Sequence, residues 1–182
     1  MPLDNITRAV LEEYTATPPD TEHGWYGSWT TILTSLFPAT QGYHVNPQQL
    51  ISGEDQDRFP DFVIEVIKLS APPLPPTHRT VLIVEIKNTH HWPNGIRALQ
   101  HQLGMQVDAA FSGNARDKVY WIAAIGPHWQ YGQKVDDGGD VQELISWHNT
   151  IHDLVSWNDL EALVQLIAAL CELTSSPRLA VF

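Results

Sequence analysis

The chain has 182 residues, 43% apolar and 17% charged, a length that reads as one domain and a composition outside the disordered regime. Its single cysteine, Cys171, excludes an internal disulfide and sits in an apolar run as a small core residue. The net charge of -11 argues against a phosphate-binding surface over the whole molecule.

That charge is uneven along the chain. Residues 1–78 carry ten acids and three bases, and residues 135–182 carry eight acids and one base. Residues 79–134 carry six bases against three acids, so any nucleic-acid contact is expected there. The opening Met-Pro-Leu-Asp-Asn lacks the basic and apolar stretches of a secretory leader. No apolar segment is expected to reach the ~18 residues of a membrane span. The expected setting is intracellular, cytoplasmic or nuclear, without membrane association.

Residues 3–14 read as a short helix with Ile6, Val10 and Tyr14 on one face, ended by Thr15-Ala-Thr-Pro-Pro-Asp. A second helix spans about Glu22 to Phe37, with Trp25, Trp29, Ile32, Leu33 and Leu36 on one side and Pro38 as its stop. Residues 42–51 form a strand interrupted or finished at Pro47, and Ser52–Arg58 is an acidic loop. Phe62–Leu69 and Thr80–Ile86 are β-branched, nearly continuous apolar runs around a proline-rich turn. They are expected to pair antiparallel at the centre of a sheet covered on both faces. A helix follows from Trp92 to about Phe111, striped by Ile96, Leu99, Leu103, Val107 and Ala110 and ended by Ser112-Gly-Asn. Lys118–Ile125 is another buried strand, Val141–Trp147 a further one, and a last helix covers about 157–173 behind a capping box of Ser156 and Asp159. The result is an α/β domain with a mixed sheet.

Charged residues interrupt the central hairpin. Pro60-Asp61 opens its first strand and Glu85-Ile86-Lys87 closes its second. Glu85 and Lys87, two apart on a strand, share a face. Asp61 joins them only if an offset or a bulge sets it opposite Glu85 or Lys87; a symmetric connection opposes it to Asn88. Two ionised carboxylates suit Mg²⁺ or Mn²⁺, and a lysine beside them suits the charge of a phosphoryl transition state. The same residues also make an ordinary structural ion pair at a sheet end.

Pro60-Asp61 followed by Glu85-Ile86-Lys87 on the next strand resembles the PD-(D/E)xK nuclease superfamily. The text around these residues is similar to uncharacterised fungal proteins placed in that superfamily. The resemblance covers about residues 22–126 and implies a restriction-endonuclease-like core, with residues 127–182 as a C-terminal strand and helix extension. It implies metal-dependent hydrolysis of nucleic acid, DNA first, with Mg²⁺ or Mn²⁺ on Asp61, Glu85 and Glu22, and Lys87 in catalysis. Glu22 is the match for a glutamate that members add from the first core helix. Members also place a glutamine in the helix after the motif; Gln100, Gln102 and Gln106 are the candidates, although the family's Q-x-x-x-Y pattern is not reproduced. A homodimer is compatible with the resemblance. The alternative is a domain of the same fold that has lost turnover and serves as a binding or scaffolding module.

Other features have plainer readings. His148 and His152 have the spacing of a zinc pair on a helix but lack a neighbouring glutamate and a third ligand, so they read as surface or packing residues. His90 and His91 are loop residues at the mouth of the hairpin site. Trp25, Trp29 and Trp121 fall on apolar patterns and belong to the core. Trp92 with His91, or Trp129 with Tyr131, are the candidates for an exposed platform on which a base stacks.

Overall fold

The computed structural model describes residues 3–52, 57–70, 73–113 and 117–173. In chain order the elements are α1 (Asn5–Ala16), α2 (His23–Leu36), β1 (Tyr43–Pro47), β2 (Phe62–Lys68), β3 (Thr77–Lys87), α3 (Ile96–Ser112), β4 (Lys118–Ile125), β5 (His128–Val135), β6 (Gln142–Glu143) and α4 (Leu154–Leu173). Among the described residues the six strands form one mixed sheet in the order β1-β2-β3-β4-β5-β6. Every pairing is antiparallel except β3 with β4. The parallel pair needs a crossover, and α3 supplies it.

The sheet separates two cores. On one face Phe62, Ile64, Leu82, Val84 and Ile86 meet Trp25, Trp29, Ile32 and Leu33 of α2, together with Leu160, Leu163 and Ile167 of α4. On the other face Val63, Ile83, Trp121, Ala123 and Ile125 lie under Leu99, Leu103, Val107 and Ala110 of α3. The hairpin is central and covered on both sides, which is why Phe62–Ile64 and Val81–Ile86 are apolar at every position but Glu85.

Several expectations change. Ile6 is 78% exposed, and the buried line of α1 runs through Leu3, Thr7 and Leu11 instead. Asp4 caps that helix, accepting from the Ile6 and Thr7 amides, which sets the start and hence the facing of the first turn. Ser156 lies inside α4; the cap is Asp153, whose carboxylate accepts from the Ser156 amide at 2.7 Å. The strand expected over Val141–Trp147 shrinks to β6 and one isolated bridge, Trp129 with His148. The segment 128–135, not assigned to any element from the sequence, is a full strand pairing along all of β4. The α4 span Leu154–Cys171 has 18 residues and mean hydropathy 1.3, long and apolar enough by composition to cross a membrane. The expectation that no segment reaches that threshold therefore fails, although its Leu160, Leu163 and Ile167 are buried in the core. Parts of the expected loops at 53–56, 71–72 and 114–116 lie outside the described residues.

Candidate functional site

The position of Asp61 follows from one irregularity in the central hairpin. Near the turn, Val66 pairs with Arg79 and Glu65 with Thr80; beyond it, Ile64 pairs with Leu82 and Phe62 with Val84. Val81 has no partner across the ladder, so β3 carries a one-residue bulge there. Continued from the turn without that bulge, the register would set Asp61 against Val84, whose side chain belongs to the other core. With it, Asp61 stands one step beyond the Phe62–Val84 pair, opposite Glu85. Alternation along β3 then places Asp61, Glu85 and Lys87 on the face covered by α3.

The side chains meet at the end of the strand pair. Lys87 Nζ lies 2.6 Å from Glu85 Oε1 and 4.0 Å from Glu22 Oε2. Asp61 Oδ2 accepts from the Ile86 backbone amide at 2.6 Å, and Asp61 Oδ1 accepts from the Tyr26 hydroxyl. Glu85 Oε1 also accepts from Gln102, and Glu85 Oε2 from Gln106 Nε2 at 2.8 Å. Asp61 and Glu85 are buried, Lys87 is 24% exposed and Glu22 36%. The site thus lies at the end of the β2–β3 pair, reached by the start of α2 from one layer and by the middle of α3 from the other.

Local structure explains each contributor. Glu22 and Tyr26 are four apart at the start of α2, so both project from one side of its first turn. Glu22 makes no capping hydrogen bond, which leaves its carboxylate free to face Lys87. Asn88 Nδ2 donates to the Pro19 carbonyl at 2.9 Å and ties the end of β3 to the approach to α2. Beyond Lys87 the chain turns through Thr89–His91 against the β4–β5 corner. There Gly126, at φ +59°, donates its amide to the Lys87 carbonyl at 2.9 Å. A Cβ at Gly126 would stand 2.2 Å from Thr89 Oγ1, so only glycine fits.

The electrostatics are those of a carboxylate pair short of positive charge. Burial, and then the facing Glu85, push the Asp61 carboxyl up to about 6, against the hydrogen bonds from Tyr26 and Ile86. Burial pulls the Lys87 ammonium down, but Glu85, Glu22 and Asp61 together carry it above its ordinary value, so it stays protonated at neutral pH. Burial, and then the bond to Asp61, raise the Tyr26 phenol, which keeps it a donor.

The fit to a divalent cation follows from the donor set. Two buried carboxylates share one ammonium, which leaves a negative charge for a hard cation to neutralise, and all the donors are oxygen. Among the described residues no group of three or more histidine, cysteine or acidic side chains gathers around one point. What the site offers a cation is the two carboxylates of Asp61 and Glu85; ions that keep several waters, such as Mg²⁺ or Mn²⁺, need no more protein ligands than that, whereas a cation needing a full protein cage would.

Other candidates are placed elsewhere. Gln100 turns away from the cleft and bonds Glu143. Gln102 and Gln106 occupy successive turns of α3 above Glu85, a juxtaposition that the apolar stripe alone does not reveal for Gln102. Trp129 and Tyr131 are buried, and Trp92 stacks on His128 with ring centroids 3.9 Å apart, so the expected exposed platform is absent at these positions. His148 precedes α4 rather than sharing a helix with His152; it stacks on Trp129 and pairs with Asp159 at 2.7 Å. His90 and His91 are exposed beside the cleft, His90 bonded to Asn88 at 3.0 Å. Tyr26 was not marked by the sequence as a site residue; its spacing of four from Glu22 was the available signal.

Neither a family model nor a curated protein matches the chain. Among solved structures, the chain is similar to one in a cryo-EM structure of a DrdV–DNA complex, with TM-score 0.54 and 14% identity. The match covers 87% of this chain and 13% of that one, so this chain corresponds in fold to a small part of a much larger protein.

Proposed function

We propose that the chain is a divalent-metal-dependent nuclease with a restriction-endonuclease-like core, hydrolysing phosphodiester bonds of nucleic acid, DNA first. The observation that supports this best is the bulge at Val81, which turns Asp61 onto the same side as Glu85 and Lys87. The bulged Val81 is itself packed in the core under α2 and α4, and bulges commonly re-aim side chains beside active sites. The likeness in fold to part of a protein solved in complex with DNA is consistent with nucleic acid as the partner.

In this reading Asp61 and Glu85 hold the metal, with Glu22 at the rim. Mg²⁺ or Mn²⁺ there would supply Lewis acidity toward a phosphoryl oxygen and a more acidic water. Lys87 stays protonated, so it neutralises charge on the phosphoryl group rather than accepting a proton. Gln102 and Gln106 hold Glu85 in one orientation. Every residue of the site comes from one chain, so the reading requires no homodimer.

One observation favours the non-catalytic alternative: both oxygens of Glu85 already accept hydrogen bonds, from Lys87, Gln102 and Gln106. Two experiments separate the readings. With Mg²⁺ or Mn²⁺ the purified protein nicks plasmid DNA, and Asp61→Ala abolishes the nicking; nicking that survives Asp61→Ala contradicts the mechanism. Calorimetric titration with Mn²⁺ that shows no binding at millimolar concentrations supports the non-catalytic module.

A further inference from the structure

The start of α2 is fastened to the end of the central hairpin at three points. Asn88 holds the Pro19 carbonyl at 2.9 Å, Lys87 faces Glu22 at 4.0 Å, and the Tyr26 hydroxyl donates to Asp61 Oδ1. The last of these bears directly on Asp61. Its Oδ2 is already held by the Ile86 amide, so Tyr26 supplies the second point that fixes the plane of the carboxylate. Asp61 precedes β2; its carbonyl accepts from the Gln48 amide at 2.9 Å, which holds the backbone, and the carboxylate is left to Ile86 and Tyr26. Tyr26 is itself held: its ring packs edge-on against Phe62 with centroids 5.9 Å apart and against His23 at 5.1 Å. Phe62 adjoins Asp61 in the chain, so one aromatic contact and one hydrogen bond lock helix and strand together.

We propose that Tyr26 is a positioning residue of the site, orienting Asp61 for a divalent cation from the opposite layer of the fold. The inference rests on the two-carboxylate metal reading and adds a residue from α2 that the hairpin motif does not contain. Groups that hydrogen-bond a ligating carboxylate fix its orientation, and their removal typically lowers metal affinity about 10- to 100-fold. The aromatic packing and the hydrogen bond are separable: phenylalanine keeps the ring on Phe62 and His23 and removes only the hydroxyl.

The test is calorimetric titration of Mn²⁺, without nucleic acid, into the wild-type chain, Tyr26→Phe and Tyr26→Ala, with thermal melting of the metal-free proteins alongside. The expected result is Mn²⁺ binding by the wild type and affinity at least about tenfold weaker in both variants. Tyr26→Phe is expected to keep a melting temperature near that of the wild type while Tyr26→Ala loses several degrees. Wild-type affinity in Tyr26→Phe overturns the positioning role and leaves the metal site standing. Absence of binding in the wild type overturns the metal site and, with it, this role.

Discussion

The two faces of β3 are built from the same strand and do opposite work. Leu82, Val84 and Ile86 point into the core under α2 and α4, where partners are apolar side chains and four of the seven tryptophans are buried or nearly so. Ile83, Glu85 and Lys87 point toward α3, where the first is packed and the other two are held by the amides of Gln102 and Gln106, by Glu22 and by each other. The polar atoms are concentrated at one end of one face. The dry face is expected to carry stability independent of cations, and the α3 face to give up stability to keep like charges adjacent, the usual cost of a functional site.

The largest effect lies on the dry face. Trp29→Ala, at a residue 1% exposed and edge-on to Trp129, is expected to cost about 3–5 kcal/mol by denaturant unfolding. The loss should be the same with and without Mn²⁺; a loss confined to one condition would break the division between the faces.

Asp61→Asn tests the other side with the opposite sign. The Asp61 carboxyl is raised from 3.8 to about 6 in the folded chain, so the folded state binds more protons than the unfolded state between those values. Its contribution to stability therefore falls as pH rises through that window, and the full penalty stands above about 6. Without metal at pH 7 the variant should be more stable than the wild type, by on the order of 2 kcal/mol. The gain should vanish below about pH 4, where both states of the wild type are protonated. A destabilised variant at pH 7 would mean that the bonds from Tyr26 and Ile86 outweigh the cost of burying the charge and the repulsion from Glu85.

The smallest effects come from two glutamines two residues apart on α3, which face different ways. Gln102→Ala removes a donor to Glu85 and is expected to weaken Mn²⁺ binding about tenfold. Gln100→Ala removes an exposed contact with Glu143 and should change stability by less than about 0.5 kcal/mol and binding not at all. Equal effects would show that α3 acts on the site as a whole rather than through single amides.

Much of this arrangement is legible in the residues. Continuous β-branched runs identify the central hairpin, and the indole spacing of Trp25 and Trp29 identifies the buried side of α2. What is illegible is what depends on register and on a third dimension. No local preference marks Val81 as a bulge, because it and its neighbours Thr80 and Leu82 are all ordinary strand residues. The segment 128–135 alternates Trp129 and Tyr131 with Gln130 and Gly132, a strand pattern masked by residues of low strand preference. Its aromatic rings read as an exposed platform only because the helices α2 and α4 that bury them are distant in sequence. The pairing of Tyr26 with Asp61 spans 35 residues and two layers, beyond any periodicity.

The most direct measurement is single-turnover cleavage of DNA by Lys87→Gln at saturating Mn²⁺, with Mn²⁺ affinity measured on the same protein. The account predicts a rate lower by at least about 100-fold while Mn²⁺ still binds, because the residue lost is the cation that meets phosphoryl charge and not a ligand. A rate equal to that of the wild type would contradict it.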